Sequence, residues 1–160
     1  MKKEHVFIIA LLIAVFAIGY HLYSKNRGSE SSGQFPSLEK VAWMGEKPEI
    51  KPGSIYLAEF WATWCPPCRQ SIPHLNEIHQ KYSSKGLLVL GISDEPQNTI
   101  EEFRKTVEMS YHVGTETSGQ LMKTLGVRGI PAAFFVKDNT ILWRGHPMQI
   151  NEALIEKMMK

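Results

Sequence analysis

Phe60-Trp61-Ala62-Thr63-Trp64-Cys65-Pro66-Pro67-Cys68-Arg69 contains both cysteines of the 160-residue chain, with two prolines between them. Upstream, Ser54–Trp61 (SIYLAEFW) has the apolar character of a buried strand. Downstream, the spacing predicts a helix over Arg69–Tyr82, with Ile72, Leu75, Ile78 and Tyr82 as its core-facing stripe. A Cys-x-x-Cys pair at a strand-to-helix junction is a redox arrangement. The first cysteine then stands at a helix N-terminus, where free N–H groups and the helix dipole favour a thiolate. That thiolate is the nucleophile of disulfide exchange. Pro66 suits the first helical turn, where a missing N–H costs nothing. Cys68, one turn on, is placed to resolve a mixed disulfide. On this reading Cys65 is the exposed nucleophile and Cys68 the shielded partner.

Two other uses of the pair are weaker on physical grounds. A purely structural disulfide across so short a loop removes little chain entropy. A structural zinc site needs four ligands, and no second cysteine pair exists. The expected redox element is therefore the Cys65–Cys68 disulfide itself, with no further cofactor and no metal.

The remaining bulk properties set the frame. The length suits one domain and an appendage. A formal net charge of +2 gives no reason to expect nucleic acid, which calls for a clustered basic face. Residues 1–23 begin with a short charged start and continue as an uncharged apolar run, Val6–Tyr23. As a helix the run would be about 27 Å long, enough for a bilayer core. The expectation is a membrane anchor, with a cleaved signal peptide as the competing reading. Residues 24–34 (SKNRGSESSGQ) are Ser/Gly-rich and read as a flexible linker. The globular domain is expected over 35–160.

The stretch Phe-Trp-Ala-Thr-Trp-Cys-Pro-Pro-Cys-Arg resembles the membrane-anchored thioredoxin-like proteins of the TlpA/ResA type, and the resemblance covers roughly residues 36–160. It implies a thioredoxin-like α/β fold, a mixed central sheet flanked by helices, and extracytoplasmic thiol-disulfide exchange at a bacterial cytoplasmic membrane. The length of the block from about 94 to 117 fits the inserted helix and strand of that branch. The resemblance further implies a cis proline at Pro131 in Gly126-Val-Arg-Gly-Ile-Pro131. Such a bond is largely confined to X–Pro. It would bring the Ile130 backbone beside Cys65, where an extended substrate segment can pair. Trp64, Pro66, Pro67, Ile130 and Pro131 are thus the expected substrate-binding residues.

Glu59, in the strand before the motif, matches the buried acid of thioredoxins. By that resemblance it exchanges the Cys68 proton, and burial should raise its pKa. Several TlpA/ResA-type proteins carry a glutamate three residues after the second cysteine, but here that residue is Ser71. Either Glu59 carries the proton alone or water does. Typical substrates in the resembling family are apocytochrome c and oxidised copper-site cysteines. Its typical electron donor is a thiol-transferring membrane protein. A reductase of protein disulfides is the favoured reading. An oxidase or isomerase runs related exchange chemistry, and a copper(I) delivery module would use the same soft thiolates.

The rest of the domain reads in order. Leu38–Met44 is expected as a first strand and Leu87–Ser93 (LLVLGIS) as a central parallel strand. Asp94-Glu95 reads as a solvated acidic loop. Asn98-Thr-Ile-Glu101 has the pattern of a capping box. Ser118 is expected to cap a short helix and Asn151 the last one. Ala132–Lys137 and Ile141–Arg144 are expected to form a hairpin around Asp138-Asn139-Thr140.

Overall fold

The computed structural model describes residues 33–160. The expected anchor and most of the expected linker lie outside the described residues. Among those described, no helix is long and apolar enough to cross a membrane. The elements are β1 (Ala42–Met44), β2 (Ile55–Phe60), α1 (Pro66–Tyr82), β3 (Leu87–Ser93), α2 (Gln97–Arg104), β4 (His112–Thr115), α3 (Gln120–Thr124), β5 (Ala132–Lys137), β6 (Thr140–Gly145) and α4 (Glu152–Met158). The strands form one mixed sheet in the order β1-β4-β3-β2-β5-β6. β3 is parallel to both β2 and β4, while β5 runs antiparallel to β2. α2 and β4 are the insertion between the central strand and the proline loop.

β2 is buried along its whole length because it lies in the middle of the sheet with both faces covered. Alternation sends Leu57 and Trp61 into one core layer and Tyr56, Ala58 and Phe60 into the other. The first layer packs against Cys68, Ile72, Leu75 and Ile78 of α1 and Ile155 of α4. The second holds Phe35, Phe134 and Leu121. Pro73 sits inside α1. Gly86, at φ +94°, ends the following 3-10 turn in a conformation that glycine adopts without steric cost.

At the hairpin, Asp138 and Asn139 both have positive φ, 49° and 59°. This is the signature of a type I′ turn, for which Asn and Asp are among the favoured residues. The chain enters the domain at the same place. Gln34 bridges to Thr140, the Ile141 N–H donates to the Gly33 carbonyl, and the Phe35 N–H donates to the Asn139 carbonyl.

Three local expectations need correction. The first strand is only Ala42–Met44, since the Val41 N–H closes a turn onto the Leu38 carbonyl at 3.1 Å. Asn98 is not a cap: α2 starts earlier, behind Pro96, whose carbonyl receives the Thr99 and Ile100 N–H groups. Glu101 instead accepts from the Gln97 side chain. Ser118 is not the N-cap of α3; Gly119 is. The Glu116 carboxylate takes the Leu121 and Ser118 N–H groups, both at 3.0 Å. Burial pushes the Glu116 carboxyl up, but the Ser118 hydroxyl, which also donates to it, and these N–H groups outweigh burial and hold it below the ordinary value. The cap on the last helix is as expected, with the Leu154 N–H on Asn151 Oδ1 at 2.9 Å.

Candidate active site

β2 ends at Phe60, and a short connection later α1 begins with Pro66 and Pro67 in its first turn. Cys65 is the N-cap. Its Sγ accepts the Cys68 N–H at 3.3 Å. The same helix-terminal donor would stabilise negative charge on that sulfur once the disulfide is opened. The two sulfurs are bonded, with Cα atoms 5.3 Å apart.

The expected exposure of Cys65 is not found: it is 3% exposed and Cys68 0%. Residues distant in sequence cover it. The Ile130–Pro131 peptide is cis, and the Ile130 carbonyl oxygen lies 3.8 Å from Cys65 Sγ. What distinguishes the two sulfurs is therefore position at the helix N-terminus and the donated N–H, rather than exposure. The surrounding rim is accessible. Trp64 is 68% exposed, Pro66 and Pro67 are exposed, and Ile130 and Pro131 are half-buried.

Glu59 lies beneath the pair and is 0% exposed. Its neighbours across the sheet are Gly91 on β3 and Ala133 on β5, two small residues. A Cβ at Gly91 would meet the Tyr111 ring at 2.9 Å and Trp61 Nε1 at 3.2 Å. The glycine thus leaves room for both rings beside the acid. Burial pushes the Glu59 carboxyl up to about 8, against the opposing pull of its hydrogen bond with Ser71. A carboxyl with such a pKa can take a proton and return it near neutrality. Ser71, which replaces the glutamate expected by resemblance, is itself fully buried. Its Oγ contacts Glu59 Oε1 at 2.7 Å.

Sequence reasoning missed Glu95. Rather than belonging to a solvated loop, its carboxylate grips the segment ahead of Cys65. Oε2 accepts the Thr63 N–H at 2.6 Å, and Oε1 accepts the Thr63 hydroxyl at 2.7 Å. The Thr115 hydroxyl in turn donates to the Glu95 carbonyl. This makes Glu95 a positioning residue for the Trp64–Cys65 turn. Only its place at the carboxyl end of β3, where α/β sheets carry their sites, pointed to it. Among the described residues no group of three or more His, Cys, Asp or Glu is arranged to hold a metal ion.

The AhpC/TSA family model matches residues 48–144. A thiol-disulfide oxidoreductase ResA from Bacillus cereus is 31% identical over 100% of this chain and 98% of its own. The chain belongs to the ResA-type thiol-disulfide oxidoreductases. Its activity is thiol-disulfide exchange through Cys65 and Cys68. The thioredoxin-like fold is shared with StoA from Bacillus subtilis, at 20% identity and a TM-score of 0.60 over 78% of this chain and 100% of that one. It is also shared with a thioredoxin-like protein solved in its oxidised form, at 20% identity and a TM-score of 0.66 over 80% and 95%. In this ResA-type chain the buried acid joined to α1 through Ser71 is on β2.

Proposed function

We propose that this ResA-type protein is a reductase of protein disulfides, anchored by its N-terminal segment with the catalytic domain outside a bacterial cytoplasmic membrane. The observation that carries the reading is the donation of the Cys68 N–H to Cys65 Sγ at the start of α1, above a buried acid whose proton affinity suits the second step. Cys65 thiolate attacks a substrate disulfide, and one substrate thiolate leaves. Glu59 takes the proton of Cys68, whose thiolate then attacks Cys65 Sγ and releases the second substrate thiolate. Two electrons pass to the substrate, and the protein ends as the disulfide. An extended substrate segment lies along the Ile130 backbone, with Trp64, Pro66, Pro67 and Pro131 as the rim it touches.

A membrane thiol-transferring partner re-reduces the pair, and the substrates are cysteine pairs of apocytochrome c or of copper sites. The uncharged run Val6–Tyr23 supports the anchor. The deciding measurement is the reduction potential of the Cys65–Cys68 couple. A value near that of thioredoxin, about −270 mV, supports a reductase; a value near that of DsbA, about −120 mV, would make the protein an oxidant.

A further inference from the structure

Ser71 Oγ has two oxygen neighbours at hydrogen-bond distance. Glu59 Oε1 is 2.7 Å away and the Cys68 carbonyl oxygen is also 2.7 Å away. A carbonyl only accepts, and an ionised carboxylate only accepts. A serine hydroxyl has one proton. With Glu59 ionised, one of the two contacts would therefore hold no proton. Both oxygen-bearing side chains are fully buried, so bulk water does not make up the shortage. One additional proton resolves it. If Glu59 is neutral, it donates to Ser71 Oγ, and Ser71 donates to the Cys68 carbonyl. The other carboxyl oxygen points the same way. Glu59 Oε2 is buried without a hydrogen-bond partner, a costly state for a charged oxygen and a milder one for a neutral carbonyl.

We propose that Ser71 is the positioning residue for the redox site's proton. In the disulfide state it accepts a hydrogen bond from a neutral Glu59 and donates its own O–H to the Cys68 carbonyl. When Glu59 must act as the base for Cys68, Ser71 turns and donates to the carboxylate instead. The proposal rests on the exchange cycle given above and adds the group that makes the buried carboxylate accessible at neutral pH.

The proton balance closes. Cys68 S–H gives its proton to the Glu59 carboxylate, and the Cys68 thiolate then bonds to Cys65 Sγ as the substrate thiolate leaves. The proton remains on Glu59, which is the state that the two oxygen contacts require. A dithiol donor that re-reduces the pair supplies the two electrons and leaves Glu59 free to return the proton to Cys68.

Among the described residues Ser71 is the one donor bonded to the carboxylate, since the buried Trp61 Nε1 and Tyr111 hydroxyl nearby make no hydrogen bond to it. Gly91 and Ala133, which flank Glu59 in the sheet, do not titrate. Tyr111 contributes a buried phenol without a hydrogen-bond partner. Burial first, and the nearby Glu59 second, hold that phenol well above its usual range, with Arg104 acting in the opposite direction. From α1, Ser71 reaches the acid, and α2 presents Phe103 to the Trp61 ring. Without Ser71 the ionised carboxylate would have no hydrogen-bond donor at Oε1 or Oε2 among the described residues. Its proton affinity should therefore rise.

The test uses the reduced full-length protein and 5,5′-dithiobis(2-nitrobenzoate) in stopped flow across pH 5 to 9, the range around the value of about 8 for Glu59. Attack by Cys65 releases one nitrothiobenzoate, and resolution by Cys68 releases the second. In Ser71→Ala the second release should slow about tenfold or more at pH 7, and its half-maximal pH should move up by about one unit. The first release should not share that shift. Ser71→Thr, which keeps the hydroxyl, should bring the midpoint back. In a Glu59→Gln background, adding Ser71→Ala should change nothing further in the second release.

A slowing equal at every pH, or one that persists in the Glu59→Gln background, would show a packing role and overturn the proposal. An unshifted profile would overturn it too. Should Ser71→Ala fail to fold, infrared spectra of the oxidised wild type at pH 6 decide. A protonated carboxyl band that disappears in Glu59→Gln and changes frequency in Ser71→Thr supports the proposal, and its absence, or a band indifferent to residue 71, sinks it. Failure of the wild type to release either thiol would instead remove the exchange cycle itself, a result distinct from all of these.

Discussion

From β2, Tyr56, Ala58 and Phe60 point into one core layer while Leu57 and Glu59, with Trp61 just beyond the strand, point into the other. The first layer is aromatic and closely matched. Phe35 meets Tyr56 edge-on at 5.6 Å, and Phe60 meets Phe134 edge-on at 5.8 Å, the geometry that aromatic quadrupoles favour. Among the described residues this layer contains no buried side-chain polar atom without a partner. Among the described residues the opposite layer holds Glu59 Oε2, Trp61 Nε1 and the hydroxyls of Tyr82 and Tyr111, and α1, which covers it, adds His79 Nδ1. Each such atom is a cost. The difference teaches where the molecule keeps its stability and where it gives some up. The aromatic layer holds the sheet, so that the redox layer can keep a desolvated acid under the disulfide.

That division can be broken from either side. The largest effect belongs to the sulfurs. Cys65→Ser should abolish exchange with a disulfide substrate while leaving the unfolding transition cooperative. Cys68→Ser should accumulate mixed disulfides through Cys65, visible by mass spectrometry. If Cys65→Ser instead captured adducts through Cys68 as readily, the assignment of the nucleophile would be upset.

On the aromatic side, Phe134→Ala should cost about 3–5 kcal/mol in denaturant unfolding. Per folded molecule its exchange rate should match the wild type. A large loss of rate in protein that remains folded would mean that the two layers are not separable.

The third effect is a pH dependence. Folding raises the Glu59 carboxyl from 4.5 to about 8, so the native state binds the proton more tightly than the unfolded chain. Stability therefore falls as pH rises from the unfolded value towards 8, and stays low above it. Between pH 5 and 7 the wild type should lose about 2–3 kcal/mol from this group. Glu59→Gln should show a flatter profile over the same interval. Parallel profiles for the two proteins would remove the buried charge as the cost carried by the redox layer.

The smallest effect is expected at Glu95. Glu95→Ala leaves the Thr63 N–H and hydroxyl without their acceptor, at a cost of about 1–2 kcal/mol. The first thiol release, by Cys65, should slow a few-fold, since the turn that carries it loses its clamp. Slowing confined to the second release would argue that the clamp acts elsewhere.

How far the sequence could be read follows from how far each contact reaches along the chain. The motif, the strand before it and the helix after it are contiguous, so their chemistry is legible at once. The hairpin is legible because its turn demands positive φ from two adjacent residues, and Asp138-Asn139 supply it. Pro131 is found through resemblance to the family rather than through any local rule. Glu95 is not legible because its partner, Thr63, lies 32 residues away. Ser71 looks inert in the sequence for a related reason. A serine cannot act as a base at neutral pH, but a serine between two acceptors can position one, and the second acceptor is visible only in the fold. The caps expected at Asn98 and Ser118 fail because local patterns compete. Pro96 already starts one helix, and the Glu116 carboxylate occupies the amide groups of the other. The burial of Cys65 is hidden because Ile130, which covers it, is 65 positions away.

The meeting of Gly33 and Gln34 with the first residues of β6 has a practical side. Thr140 pairs with Lys137, and Lys137 with Ile55 at the start of β2. The disulfide follows the other end of that six-residue strand, about 20 Å away. The domain thus has a handle and a working tip at opposite ends of its central strand. A bead or electrode coupled just ahead of Gly33 would grip the handle, and the sulfur chemistry would still meet macromolecules arriving from solution. An attachment made through the turn between β5 and β6 would do the same, whereas one made near Trp64 would block the tip.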